Sequence, residues 1–228
     1  MAQQMSEKAM KAALRKEFKA KIAAIPKIVK ESHSKIVAQM FLDLPKVKKS
    51  ERFSVYLSRD DEVDTTFIIR TLLQQGKQIF VPYYKGEGMK MVPLYSWQDY
   101  ERMPETSWNI KQPEDGDRRP DALDLGGLDV IACPGLGFSE NFFRLGRGKG
   151  YYDKYIHRCN LMQCEPFLVG LAFNEQMTST DLALGERDKQ LSLILYPDFN
   201  RVRRRNSGEA TRQFKPIFKT FLYTFPDK

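Results

Sequence analysis

An α/β layered domain with a mainly parallel sheet is the fold class this sequence predicts, on three observations. Short β-prone runs recur along the chain, at 53–57, 79–81, 89–94, 128–133, 168–172 and 191–195. Helical stretches separate most of them, the order that feeds parallel strands through crossovers. The 228 residues, 42% hydrophobic and 29% charged, suffice for one sizeable core and exclude wholesale disorder.

The elements follow in order. Met10, Leu14, Phe18, Ile22 and Ile25 form an apolar stripe at helical spacing, which predicts an amphipathic helix over 6–25 with Ser6 as N-cap. Lys11, Arg15 and Lys19 form a second, basic stripe beside it. After Pro26 a second helix carries Val29, Ile36, Val37, Met40, Phe41 and Leu44, and ends before Pro45. The run 53–57 is a strand, followed by the polar turn 58–62. A helix over 64–75 then closes on Gly76 in the C′ position. Strands at 79–81 and 89–94 come next. Residues 104–127 hold three prolines, three glycines and many charges, and read as a long ordered excursion. The strand 128–133 leads through a glycine-rich loop into a helix starting near Gly148. No repeat and no linker interrupts the chain before residue 196, so 1–196 is one domain and 197–228 a basic tail.

The charge is uneven. The formal +8 divides into +8 for residues 1–50, −5 for 51–196 and +5 for 197–228. A basic track across the whole surface is not supported, and nucleic acid is not an expected partner. No run approaches the roughly 18 apolar residues that span a bilayer. Three cysteines, Cys133, Cys159 and Cys164, lack metal-ligand spacing and suit a reducing compartment. The cytoplasm is the expected location.

One segment concentrates the chemistry. Pro134-Gly135-Leu136-Gly137-Phe138 is followed by Arg144-Leu145-Gly146-Arg147-Gly148-Lys149-Gly150-Tyr151-Tyr152-Asp153, between a strand and a helix. Glycines alternating with cations offer backbone N–H groups, close approach and charged donors, as a polyphosphate at a helix N-terminus requires. Asp153 adds a hard oxygen suited to Mg²⁺. The spacing is neither a Walker A loop nor a dinucleotide fingerprint. A solvated basic turn is the plain reading, but five alternating residues at this position in an α/β unit favour phosphate binding. With two histidines, His33 and His157, a His-rich metal site is excluded and a Ser–His triad poorly supplied. His157 reads as a surface or packing residue and Cys133 as a buried hydrophobe. A missing nucleophile favours phosphoryl chemistry, where positioning and charge stabilisation do most of the catalysis.

These residues resemble the 5-formyltetrahydrofolate cyclo-ligase (methenyltetrahydrofolate synthetase) family. Lys11-Ala12-Ala13-Leu14-Arg15, Leu57-Ser58 through Asp61-Glu62, Thr106-Ser107-Trp108-Asn109-Ile110 and above all 144–153 carry the resemblance, in register over about 8–196. The long 104–127 excursion is similar to the eukaryotic branch. The resemblance implies a single three-layer α/β/α, Rossmann-like domain. It implies ATP- and Mg²⁺-dependent conversion of 5-formyltetrahydrofolate to 5,10-methenyltetrahydrofolate, ADP and phosphate, by a protein expected to be a monomer.

Carried onto this chain, the resemblance gives Lys11, Ala12, Ala13, Leu14, Arg15 and the run Arg144, Leu145, Gly146, Arg147, Gly148, Lys149, Gly150, Tyr151 and Tyr152 to ATP. Arg15, Leu57, Glu62, Met89, Met91, Trp108 and 147–151 fall where the family contacts folate. Asp153 and Asp188 match its metal carboxylates, and Arg147, Lys149 and Tyr151 are the expected catalytic groups. Three departures stand out, one of them that residues 197–228 have no counterpart in the family. Ser139 and Phe142 occupy positions where the family has Asp and Gly, with Phe143 beside them, and Ser192 stands for an Asp opening the last strand. A Phe resists φ > 0, so the glycine's loop conformation is expected to be lost. That departure raises a second reading, a catalytically weak relative that binds nucleotide or folate as a regulatory protein.

Overall fold

The structure is a computed structural model that describes residues 6–86, 88–106, 110–114, 116–182, 185 and 188–198. The helices are α1 (Glu7–Ala23), α2 (Lys27–Asp43), α3 (Pro45–Lys49), α4 (Thr66–Gln74), α5 (Trp97–Arg102) and α6 (Tyr151–Leu161). The strands are β1 (Arg52–Ser54), β2 (Gln78–Lys85), β3 (Gly88–Leu94), β4 (Val130–Cys133), β5 (Gly137–Ser139), β6 (Arg144–Leu145), β7 (Phe167–Leu171), β8 (Met177–Thr178) and β9 (Leu193–Leu195). Six of them form one sheet in the order β3-β2-β1-β4-β7-β9. All its pairings are parallel except β2 with β3. The order runs outward both ways from β1 and β4, so a topological switch point lies between those two strands.

Both faces of a parallel sheet need cover, and period-2 alternation decides which side chain goes where. Phe53, Ile79, Val81, Val130, Ala132, Val169, Leu171, Leu193 and Leu195 point to one face, where Val37, Phe41, Ile68, Ile69 and Leu72 of α2 and α4 cover them. Phe80, Ile131, Cys133, Leu168 and Ile194 point to the other, against Tyr152, Tyr155, Ile156 and Cys159 of α6. The three-layer α/β/α arrangement is thereby in place. A small sheet, β6-β5-β8, stands beside it. There α1 buries Phe18 and Ile22 against Leu136, Leu145 and Leu182.

Ser6 caps α1, its Oγ accepting from the Ala9 N–H at 3.3 Å. Met10, the outermost residue of the stripe, is exposed. Gly76, at φ +74°, ends α4. Its N–H donates to Leu73 O and that of Lys77 to Leu72 O, a Schellman closure. Pro45 does more than stop α2. It opens the short α3 from its first position, where the missing N–H costs nothing. The expected strand over 53–57 is shorter and earlier, at Arg52–Ser54, although the Val55 N–H still donates to Phe80 O. Charge pins the described part of the 104–127 excursion: Arg119 bridges Asp99 and Asp117 at 2.6 and 2.8 Å. The buried Asp121 accepts from Tyr155 at 2.8 Å and Arg158 at 3.0 Å, both on α6. The tail beyond 198 lies outside the described residues.

Candidate active site

Parallel α/β sheets bind ligands beyond the carboxyl ends of their strands, at the switch point. A cavity of about 360 Å³ lies there. Tyr56 and Leu57 follow β1, Pro134 and Gly135 follow β4, and Pro82 and Tyr84 come from β2. The glycine loop closes it with Arg144, Gly146, Arg147, Lys149 and Gly150, and α6 adds Tyr151, Tyr152 and Asp153. Gln176 braces the backbone after β4, donating to Gly135 O at 2.7 Å.

The wall of this cavity is aromatic on one side and ionic on the other. Tyr84 and Tyr151 meet at 5.1 Å between ring centroids, and the Tyr151 hydroxyl donates to Gly86 O in the β2–β3 turn at 3.1 Å. Burial pushes the Tyr56, Tyr84 and Tyr152 phenols well above their ordinary range, so they stay protonated. Opposite them, Glu62 is held between loops. Its Oε2 accepts from the Arg59 N–H at 3.2 Å, and its Oε1 accepts from Arg147 Nε at 3.3 Å and Nη2 at 3.1 Å. Arg147 Nη2 also donates to Asp61 Oδ1 at 2.7 Å. Burial raises the Glu62 pKa, and the Arg147 guanidinium pulls it only part of the way back.

A second cavity, of about 1020 Å³, lies on the far side of the glycine loop. Lys11 and Arg15 of α1 line it with Leu145, Gly148, Lys154, His157, Asp188 and Lys189. Arg15 Nε donates to Gly146 O at 2.9 Å, which docks α1 on the loop. Gly148 and Gly150 have φ of +108° and +66°, conformations that only glycine adopts freely. Gly150 is also the N-cap of α6, whose first N–H groups receive no side-chain cap from it. Arg144, Gly146, Lys149, Gly150 and Asp153 line both cavities and form their common wall. In that wall Arg144 Nε is buried without a hydrogen-bond partner among the described residues, a donor a ligand can satisfy.

Asp153 and Asp188 both border the second cavity, and each faces a cation. Arg144 Nη2 lies 3.1 Å from Asp153 Oδ1, and Lys11 Nζ lies 2.9 Å from Asp188 Oδ2. Burial alone would lower the Lys11 pKa, but hydrogen bonds to Asp188 and Glu7 reverse this and hold it above the ordinary lysine value. Among the described residues no three His, Cys, Asp or Glu side chains cluster to hold a metal by themselves. Two hard carboxylates fit Mg²⁺ brought in on phosphates, which needs only one or two protein oxygens.

The expected site residues divide between the two cavities. Leu57, Glu62, Arg147, Tyr151 and Tyr152 face the smaller one, while Lys11, Arg15, Leu145, Gly148 and Asp188 face the larger. Ala12 and Ala13 are exposed and line neither, and Leu14 packs half-buried behind them. Met89 and Met91 are buried under the sheet, opposite Tyr84 and Pro82 in register, and also line neither. Met91 Sδ instead accepts from Ser54 Oγ. Trp108 lies outside the described residues. Arg59, Pro82, Tyr84 and His157 were not legible as site residues, since no local motif marks them.

The loop before β6 departs from expectation. Phe142 has φ +65°, so the left-handed turn is kept despite the side chain. Its N–H donates to Ser139 O at 2.9 Å and its carbonyl accepts from the Leu191 N–H at 2.8 Å. Ser139 Oγ accepts from the Phe143 N–H at 3.2 Å, the local bond an Asp could also make. Ser192 Oγ likewise accepts from the Leu168 N–H at 3.1 Å.

Known proteins resemble this chain in sequence and share its architecture. The model of the 5-formyltetrahydrofolate cyclo-ligase family matches residues 7–197. The 5-formyltetrahydrofolate cyclo-ligase of Mus musculus is 40% identical over 191 residues, covering 82% of this chain and 94% of its own. That of Saccharomyces cerevisiae is 27% identical, covering 83% and 96%. The solution structure of 5,10-methenyltetrahydrofolate synthetase from Aquifex aeolicus superposes with a TM-score of 0.71 at 25% identity, covering 92% of this chain and all of that one. With the family matched over nearly the whole described domain, the chain belongs to the 5-formyltetrahydrofolate cyclo-ligases, a family of ligases.

Proposed function

We propose that this protein converts 5-formyltetrahydrofolate and ATP to 5,10-methenyltetrahydrofolate, ADP and phosphate, with Mg²⁺ accompanying the nucleotide. The observation that carries this reading is the pair of cavities sharing one glycine-rich, cationic wall. Two substrates on either side of such a wall can exchange a phosphoryl group across it.

The chemistry needs that exchange. The N5 formyl group is amide-like, and ring closure must expel its oxygen, which leaves poorly as hydroxide. The formyl oxygen attacks the γ-phosphorus and ADP departs. N10 then attacks the activated formyl carbon and loses its proton, and phosphate leaves with the oxygen. Glu62 accepts hydrogen bonds from the pterin N–H groups in the smaller cavity, and Tyr84 and Tyr151 wall the flat rings. Lys11 and Arg15 hold the phosphates in the larger cavity. Lys149, present in both, stabilises the phosphoryl group in transit, and Arg147 receives it on the folate side. Asp153 and Asp188 would hold Mg²⁺, which when bound neutralises phosphate charge.

All three cysteines are free, an arrangement that fits the cytoplasm as the compartment. Among the described residues no helix is long and apolar enough to cross a membrane. The test is the near-UV absorbance of methenyltetrahydrofolate on adding 5-formyltetrahydrofolate to protein, ATP and Mg²⁺. We expect it to appear only with ATP; absence of product with both ligands bound would overturn the reading.

A further inference from the structure

Arg147 is held by two carboxylates that differ in where they stand. Glu62 is almost wholly buried and lines the folate-side cavity, where a pterin can reach it. Asp61 lines neither the folate-side cavity nor the larger one beyond the glycine loop, yet makes the shortest contact to Arg147, 2.7 Å from Oδ1 to Nη2. The same Asp61 oxygen lies 3.5 Å from Arg59 Nε, which ties it to its own turn. When substrate takes the Glu62 carboxylate, Arg147 loses one anionic partner and keeps the other.

We propose that Asp61 is a positioning residue: it holds the Arg147 guanidinium at the cavity rim after Glu62 has turned to the substrate. The inference rests on the proposed function, since it needs a ligand that competes with Arg147 for Glu62. Without Asp61, substrate binding would strand a half-buried guanidinium, a cost borne by affinity. The arginine would then sample several rotamers just when its position matters, a cost borne by turnover. Asp61 touches no reacting atom in this scheme. Its effect passes through Arg147 alone.

A double-mutant cycle between Asp61→Asn and Arg147→Ala tests this, with two readouts. Calorimetric titration with 5-formyltetrahydrofolate, without ATP or Mg²⁺, reads affinity, and the absorbance assay reads kcat. In the otherwise native protein Asp61→Asn is expected to weaken binding several-fold and lower kcat about tenfold, as misplacement of an orienting group does. In the Arg147→Ala background the same substitution is expected to change neither. Asp61→Glu, which keeps the charge, is expected to restore at least half of the lost turnover. An Asp61→Asn effect of equal size in both backgrounds, or no effect in the native one, overturns the proposal. Native protein that binds substrate but forms no product fails the proposed function instead, and the affinity arm still decides Asp61's role.

Discussion

Phe142 shows how a single residue can keep a conformation its chemistry resists. A non-glycine residue in the left-handed region costs about 1–2 kcal/mol. Two backbone hydrogen bonds fix it there, and its ring packs half-buried against the α6 side of the core. Replacing it separates the two effects. Phe142→Ala loses the ring and keeps the strain, whereas Phe142→Gly loses the ring and relieves it. We expect the Gly variant to be more stable than the Ala variant by about 1 kcal/mol in urea unfolding, against the usual order. Equal stabilities would mean the turn relaxes when the ring goes. At the same scale, burial raises Glu62 above the ordinary glutamate value of 4.5. The folded state then holds more protons than the unfolded one between the two values, so stability falls as pH rises through that window. Pterin binding to the carboxylate runs the other way. The KM for 5-formyltetrahydrofolate should fall as pH rises through the same window, and Glu62→Gln should flatten both profiles.

Among the elements, α1 matters most, because it both packs on the small sheet and lines the larger cavity. Its seat is a close approach. A Cβ on Gly137 would run into the Phe18 ring, so only glycine lets β5 and α1 touch. Gly137→Ala should push α1 outward, carrying Arg15 off the glycine loop and Lys11 away from Asp188. We expect about 1–3 kcal/mol of destabilisation and at least tenfold weaker ATP binding, with 5-formyltetrahydrofolate affinity little changed. Calorimetry with each ligand separates these. The long elements were legible because periodicity needs length: α1, α2, α4 and β3 stand where apolar spacing places them, while β2 runs on from the expected 79–81 to Lys85. β6 and β8 have two residues each and β5 has three, too few to show a period. α5 buries none of its six residues fully, so no apolar face announces it. The site was legible where one continuous segment forms it, along 144–153. Tyr84, Pro82 and Arg59 reach it through sheet order, which no local pattern encodes. Met89 and Met91 fail to reach it for the same reason, since antiparallel pairing sets them one strand further out.

The whole molecule turns a weak global signal into a local one. The body between 51 and 196 is net acidic, yet Arg144, Arg147 and Lys149 stand on one loop, with Lys11 and Arg15 brought across from the basic N-terminal region. Because the loop is a partition, substitutions should sort by which side they face. Lys11 lines only the larger cavity, so Lys11→Ala should raise the ATP KM about tenfold, the worth of a charge-assisted hydrogen bond, and leave the folate KM within about twofold. Glu62 lines the smaller cavity and not the larger, so Glu62→Gln should do the reverse. Lys149 borders both. If it serves the phosphoryl group in transit, Lys149→Ala should lower kcat about 10²-fold while moving each KM far less, since its contact strengthens where charge develops. Steady-state kinetics with each substrate varied in turn reads all three. A Lys149→Ala protein with native kcat and a raised ATP KM alone would make that lysine a ground-state phosphate ligand, and the shared wall would then divide the substrates without acting on the group that passes between them.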